Sequence, residues 1–315
     1  MAQSASQRLD PFGRTITDAV DHFVAHLEAT EKSITVTELV PQLLSAKKGD
    51  CLSKRYIGDL REKLSRFAQS FGGKMVASIT AKEIDAWLRS LPVGPTTRNN
   101  FRRVLVTFFS DAISLGYATS NPAAVTAKAK EVDSPPGILT VSQTARLLGS
   151  AMPALLPCLA IGAFAGLRRA ELGRLDWRDI HFDAGLIEVT AAKSKTARRR
   201  FVQIQPNLRE WLLPVRKHSG SVTPTNFAKQ FEALRESAGI ADWPANALRH
   251  SFASYHLAHF QDAAALALQM GHTDSGMIFA HYRELVRPRE AKRYWNIRPP
   301  KKRRPLRTRS RTAEK

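Results

Sequence analysis

Cysteine is nearly absent. The 315-residue chain has two, Cys51 and Cys158. They lack metal-ligand spacing, which argues against a disulfide framework or a cysteine zinc site and predicts a reducing, cytoplasmic setting. Histidine gives no better metal site: His22/His26 and His256/His259 have helical spacing but lack the glutamate of a zincin motif, so no metal is expected. Long apolar runs are missing too. The charge-free stretch 147–167 contains Pro153 and Pro157 and reads as a buried core helix, not a membrane span. The polar N-terminus has no signal-peptide core. Acidic residues are scarce, 28 against 48 Lys+Arg, leaving a net charge of +20. At 43% hydrophobic residues the chain is globular, not disordered.

The positive charge is unevenly placed. Residues 1–33 are net acidic, 34–126 and 139–297 are both basic, and the tail from 299 to 315 is a proline-flanked basic run that reads as disordered. Clustered Lys and Arg suit a polyanion, because they displace the counterions condensed on nucleic acid. A well-solvated surface is the plain alternative.

Periodicity predicts a helical first half. In 55–71, Tyr56, Ile57, Leu60, Leu64, Phe67 and Phe71 form an apolar stripe, leaving Lys54, Arg55, Arg61 and Lys63 for solvent or a ligand. Thr80-x-x-Glu83 reads as a capping box. A helix from about 97 to 115 turns Phe101, Val104, Leu105, Phe108 and Ile113 inward and stops at Gly116. Arg98, Arg102 and Arg103 lie in its first turns, where they oppose the helix dipole, which suggests either an external anion or a solvated face. The expected layout is an N-terminal helical arm (1–33) suited to protein contacts, a helical, basic domain (34–126), a polar linker (127–138), a second domain (139–298) and the tail. In the second domain Thr140-x-x-Gln143 opens a helix. Residues 186–191 and 200–205 alternate as two short strands, with Lys193, Lys195, Arg198 and Arg199 at the hairpin tip between them.

Four segments then stand out in order: Gly166-Leu167-Arg168-Arg169-Ala170-Glu171-Leu172, the hairpin lysine, Asn246-Ala247-Leu248-Arg249-His250, and Gly271-His272 followed ten residues later by Tyr282. Together they resemble the tyrosine recombinase, or phage-type integrase, family. Its order Arg…Lys…His-x-x-Arg…His…Tyr is met by Arg168, Lys195 (with Lys193 as the alternative by register), Arg249, His272 and Tyr282. The resemblance covers roughly residues 34–298. It implies a mainly α fold with a small β-hairpin or sheet: a helical, SAM-like core-binding domain plus a mixed α+β catalytic domain. It also implies a C-shaped clamp on double-stranded DNA, working as a homo-oligomer (a tetramer in synapsis), with no cofactor. Lys54, Arg55, Arg98, Arg102, Arg103, Arg198 and Arg199 are the candidate DNA contacts. The final helix, with Tyr294 and Trp295, would dock on a neighbouring protomer or pack in cis.

The resemblance assigns Tyr282 as nucleophile, Arg168 and Arg249 as phosphate clamps, Lys195 as general acid and His272 as a further donor. The residue types fit. Arginine offers planar forks to non-bridging oxygens. A free phenol is only about one part in a thousand ionised at pH 7, so a tyrosine nucleophile needs such neighbours. A covalent 3′-phosphotyrosyl link conserves the bond energy, so neither ATP nor a metal is called for. Two departures stand out. Asn246 occupies the family's first histidine and cannot take a proton at neutral pH, and the His272–Tyr282 interval is one residue longer than the commonest spacing. Three functions therefore stay open: a recombinase that integrates or excises a mobile element, a type IB topoisomerase-like nicking-closing enzyme, and a catalytically weak DNA-binding regulator. His250 reads as a packed or supporting histidine.

Overall fold

A computed structural model describes residues 2–131, 135–192, 199–271, 276, 282 and 286–300. Lys193, Lys195, Arg198, His272 and the tail from 301 lie outside them. The chain divides into two compact units, Met1–Asp133 and Ser134–Lys315.

The first unit is all helical: α1 (Ala2–Leu9), α2 (Ile16–Glu31), α3 (Val36–Gly49), α4 (Lys54–Phe71), α5 (Ala81–Ser90) and α6 (Pro95–Ser114). Capping boxes open α3 (Thr35 with Glu38) and α5 (Thr80 with Glu83), so each orphan amide finds a partner at once. Helices α3 to α6 close over one aromatic core. Phe67 stacks on Phe71 at 4.7 Å and meets Trp87 and Phe108 edge-on. Three residues depart from the periodic reading. Tyr56, in the first turn of α4, is exposed, and so is Ile113, because the buried face of α6 runs through Phe109 to Ala112 instead. Lys63 is buried: its ammonium pairs with Asp59 and sits 5.7 Å from the Phe101 ring. Val20, Phe23, Val24 and Leu27 of α2 are exposed. Part of the expected linker is held by α6. Asn99 brackets Ala129 with two hydrogen bonds, and Thr96 and Asn99 both donate to Glu131.

The second unit surrounds a buried helix, α8 (Leu156–Ala165). The charge-free stretch is two helices and not one. After α7 (Val141–Gly149) the chain turns, and Pro157 sits in the first turn of α8, where a missing N–H costs nothing. The thin sheet is a three-stranded antiparallel meander, one strand more than expected: β1 (Ile180–His181), β2 (Leu186–Val189) and β3 (Arg200–Gln203). Ile187 faces Val202 across it, and both are fully buried. Short α9 (Arg169–Leu172) precedes the sheet, and α10 (Pro206–Leu212), α11 (Phe227–Ser237), α12 (Ala247–Phe260) and α13 (Ala263–Met270) follow it. The last helix, α14 (Pro288–Trp295), packs in cis. Tyr294 is fully buried, stacks on Tyr255 at 3.9 Å and donates to the Ala163 carbonyl at 2.6 Å, and the Trp295 indole donates to the Tyr255 carbonyl. These contacts use up the residues that could have anchored it on a neighbour.

Helix α8 must end sharply to deliver Arg168, and Gly166 ends it at φ 63° with the Phe252 ring against its Cα. A Cβ there would lie 2.2 Å from Phe252 Cδ1. Gly166→Ala should therefore lose at least about 2 kcal/mol from left-handed strain and overpacking together. Gly185→Ala, at φ 68° with open space around it, should lose only the strain. Urea midpoints at unchanged m-value check the pair.

Candidate active site

The site is assembled around one carboxylate. Glu171, in α9, is 1% exposed and forms a bidentate pair with Arg200 at the start of β3, Nη1 to Oε1 at 3.0 Å and Nη2 to Oε2 at 2.7 Å. The Arg168 amide donates to Oε2 at 2.9 Å and its Nη1 to Oε1 at 3.1 Å. Arg168 stands where α8 has ended and α9 begins, so a buried helix and a capping contact fix its backbone. Arg249, one turn into α12, is 7% exposed and donates to the Gly166 carbonyl at 2.7 Å.

The three guanidinium groups also grip successive carbonyls at the C-terminal end of α13. Arg200 takes Gln269 at 2.8 Å, Arg249 takes Met270 at 2.8 Å and Arg168 takes Gly271 at 3.3 Å. Helix ends leave such carbonyls unpaired and carry partial negative charge, which suits cations. Three arginines against one glutamate leave the cluster with surplus positive charge. Burial first, then the Arg168 charge, pulls the Arg249 guanidinium down to about 10, so it stays cationic at neutral pH.

Tyr282 is buried against this cluster, and its hydroxyl lies 2.8 Å from His250 Nδ1. Burial raises the phenol above its ordinary value, and the charges of Arg249 and then Arg168 pull the other way. Of the proposed catalytic set, then, Arg168, Arg249 and Tyr282 come together, while Lys195 and His272 lie outside the described residues. Asn246 is exposed and sits at φ 54° just before α12, a left-handed position that asparagine tolerates better than most residues. Sequence reading missed two residues. Arg200 belongs to no motif that the sequence presents. His250 was set aside as supporting, though its place directly after Arg249 on a helix was a usable signal. His256, of the suspected metal pair, is buried among Phe252, Phe260 and Trp295, and burial pushes it down to about 4.

The candidate DNA contacts divide. Lys54, Arg55 and Arg103 are exposed, with Arg103 donating to Asn100. Half-buried Arg98 lines a cavity with Arg89, Lys128 and Lys130. Arg102 is spent inside its own unit, on the carbonyls of Thr126 and Ala124 at 2.9 and 2.6 Å, so it locks the segment after α6. Arg199 pairs with Glu188 at 2.7 Å and lies over the Phe201 ring.

Burial pushes the Glu171 carboxyl up, but hydrogen bonds from Arg200 and the Arg168 amide, with both cations, hold it below the usual carboxylate range. A depressed folded-state value means stability that is present above the unfolded value of 4.5 and lost as pH falls through the folded one. Glu171→Gln should cost about 3–5 kcal/mol at pH 7, the usual result of leaving buried cations unpaired. The gap to wild type should shrink below pH 4. Urea unfolding of both proteins from pH 3 to 8 checks this, and a constant gap would refute it.

Parts of the chain are similar to known proteins. The Phage integrase family model matches residues 149–287, which take in Arg168, Arg249 and Tyr282. Tyrosine recombinase XerC of Xanthomonas axonopodis pv. citri (strain 306) is 27% identical over 197 residues, 55% of this chain and 63% of the relative, so the match spans less than two thirds of that relative's length. Among solved structures, a lambda integrase tetramer bound to a Holliday junction matches with a TM-score of 0.65 at 17% identity, over 88% of this chain and 85% of that one. The Tn1549 transposon integrase in complex with circular intermediate DNA matches with a TM-score of 0.64 at 19% identity, over 81% of this chain and 97% of that one. At such identities the structures speak for the fold, helical with a small antiparallel sheet. Residues 149–287, which hold the arginine cluster and its tyrosine, are thus similar to the Phage integrase family, and 197 residues of the chain are similar to a tyrosine recombinase.

Proposed function

We propose that this protein is a site-specific DNA recombinase that breaks and rejoins double-stranded DNA through a covalent 3′-phosphotyrosyl intermediate, integrating or excising a mobile element. The observation that carries the reading is the seating of Tyr282 against a surplus of positive charge from Arg168 and Arg249. In this reading the two guanidinium groups bind the non-bridging oxygens of one phosphodiester. Each contributes more as charge builds toward the pentacoordinate state, typically about 3–4 kcal/mol per preorganised donor. Tyr282 attacks phosphorus, Lys195 protonates the departing 5′ oxygen, and His272 adds a phosphate contact. The first unit holds the duplex through Lys54, Arg55, Arg98 and Arg103. Arg198 and Arg199 of the hairpin add contacts near the reacting strand. The lambda integrase structures, a tetramer on a Holliday junction and a dimer on a COC′ core site, support assembly of several copies on DNA. Work on DNA fits the cytoplasm.

A second reading, a DNA-binding regulator with weak chemistry, is favoured by Asn246, which cannot accept a proton. Covalent trapping separates the two. The full chain is incubated with a pool of randomly nicked duplexes, and detergent-resistant adducts are recovered and sequenced. Adducts absent from Tyr282→Phe, and at least about a hundredfold fewer with Arg249→Lys, are expected. No adduct from the wild-type chain sinks the recombinase reading.

Binding gives an independent check. Lys54→Ala, Arg55→Ala and Arg103→Ala together should weaken binding to every duplex alike and lower the slope of log K against log salt by up to about 0.9 for each phosphate that is no longer neutralised. Arg102→Ala should instead cost about 1–3 kcal/mol of stability by orphaning carbonyls while leaving that slope in place. Weaker binding to one sequence alone would contradict the assignment.

A further inference from the structure

The chain lacks a titratable side chain at 246, yet its site contains an imidazole that touches the nucleophile. His250 Nδ1 is 2.8 Å from Tyr282 Oη, with ring centroids 5.7 Å apart. The imidazole is held in place. His250 follows Arg249 on α12, so the backbone that seats Arg249 on the Gly166 and Met270 carbonyls also fixes the ring, and the His250 amide donates to the Asn246 carbonyl at 3.0 Å. A general base must lie within hydrogen-bond reach of the proton that it takes, and among the described residues His250 meets that requirement.

We infer that His250 is a catalytic residue of the proposed cleavage, accepting the Tyr282 phenolic proton in place of the side chain missing at position 246. The inference rests on the recombinase reading and assigns one of its proton transfers. As a lone pair of Tyr282 Oη forms the new bond to phosphorus, the phenolic proton passes to His250 Nδ1. The bond from phosphorus to the 5′ oxygen breaks, its electron pair leaves on that oxygen, and Lys195 supplies the proton that completes the 5′ hydroxyl. The diester keeps its single negative charge, His250 becomes imidazolium, and Lys195 becomes neutral. Rejoining runs backwards: the 5′ hydroxyl attacks, its proton returns to Lys195, and the departing Tyr282 oxygen recovers its own from His250.

The charges around the pair give the step a trigger. Arg249 from α12 and Arg168 at the head of α9 face the phenol, with Arg200 of β3 and Glu171 of α9 behind them. Surplus positive charge disfavours an imidazolium until a DNA phosphate enters and offsets it. Proton transfer is therefore tied to substrate binding.

Two measurements on the full chain test this. Long-range proton–nitrogen correlation spectra of histidine-labelled protein, with His250 assigned by its loss in His250→Gln, report the tautomer without DNA. A neutral ring protonated on Nε2, its Nδ1 signal shifting in Tyr282→Phe, is expected; a neutral ring protonated on Nδ1 overturns the inference. The second measurement is the rate of adduct formation on the nicked-duplex pool. His250→Gln and His250→Asn should each slow it on the order of 10²- to 10⁴-fold with duplex binding and urea midpoint near wild type. Added imidazole should restore part of the rate. The wild-type rate should also fall toward acid as the imidazole takes up a proton, a limb missing from the variants. A histidine that only positions Tyr282 would give neither imidazole rescue nor a lost acid limb. Variants as fast as wild type sink the inference and leave the recombinase reading intact. A wild-type chain that forms no adduct takes both down.

Discussion

The Glu171 carboxylate, buried to 1% exposure and shared by Arg168 and Arg200, is the constraint on which the second unit depends. Removing charges from water is costly, and a buried ion pair is tolerated only with well-placed partners. Here Arg168 comes from the turn after α8 and Arg200 from the start of β3, and carbonyls at the end of α13 hold both guanidinium groups in turn, so three separate parts of the chain are involved. The fold must bring all three together before the charges are satisfied. Once it does, carbonyl contacts hold the arginines in place. Rigidity of this kind suits a group that must meet a transition state without reorganising.

The last turn of α13 serves the same end from the other side. Gln269, Met270 and Gly271 each give a carbonyl to a different arginine, so a helix terminus that would otherwise face water becomes a bracket for three cations. Those carbonyls do not cancel the arginine charge, since partial charges face full ones. The surplus is what a phosphodiester would find. The net +20 of the chain thus divides by use. Some of it is internal, as with Arg200 and Arg102, and some is exposed, as with Lys54, Arg55 and Arg103.

Local rules were legible wherever a short stretch decides its own conformation. The capping boxes at Thr80 and Thr140, the apolar stripe of α4 from Ile57 to Phe71 and the antiparallel strands on either side of the hairpin all formed, because each depends on contacts three or four residues away or on simple alternation. Reading failed where burial is decided by a distant neighbour. Lys63 looks like a surface residue until the Phe101 ring of α6 covers it. Ile113 looks like core until α6 is found to bury Ala112 instead. The single helix expected across 147–167 became two because prolines placed in it outweigh its uniform apolarity.

The order and type of the candidate site residues were determined by the sequence: Arg168, Arg249 and Tyr282 in their flanking motifs, with asparagine where a histidine was expected. Spacing along a chain records such motifs directly. What only the tertiary structure decided is which groups stand between them. Arg200 becomes part of the cluster, Arg102 is withdrawn into its own unit, α14 turns inward, and His250 meets the phenol of Tyr282. Each depends on a partner at least 22 residues away, so the distances that matter exist only after the helices have packed.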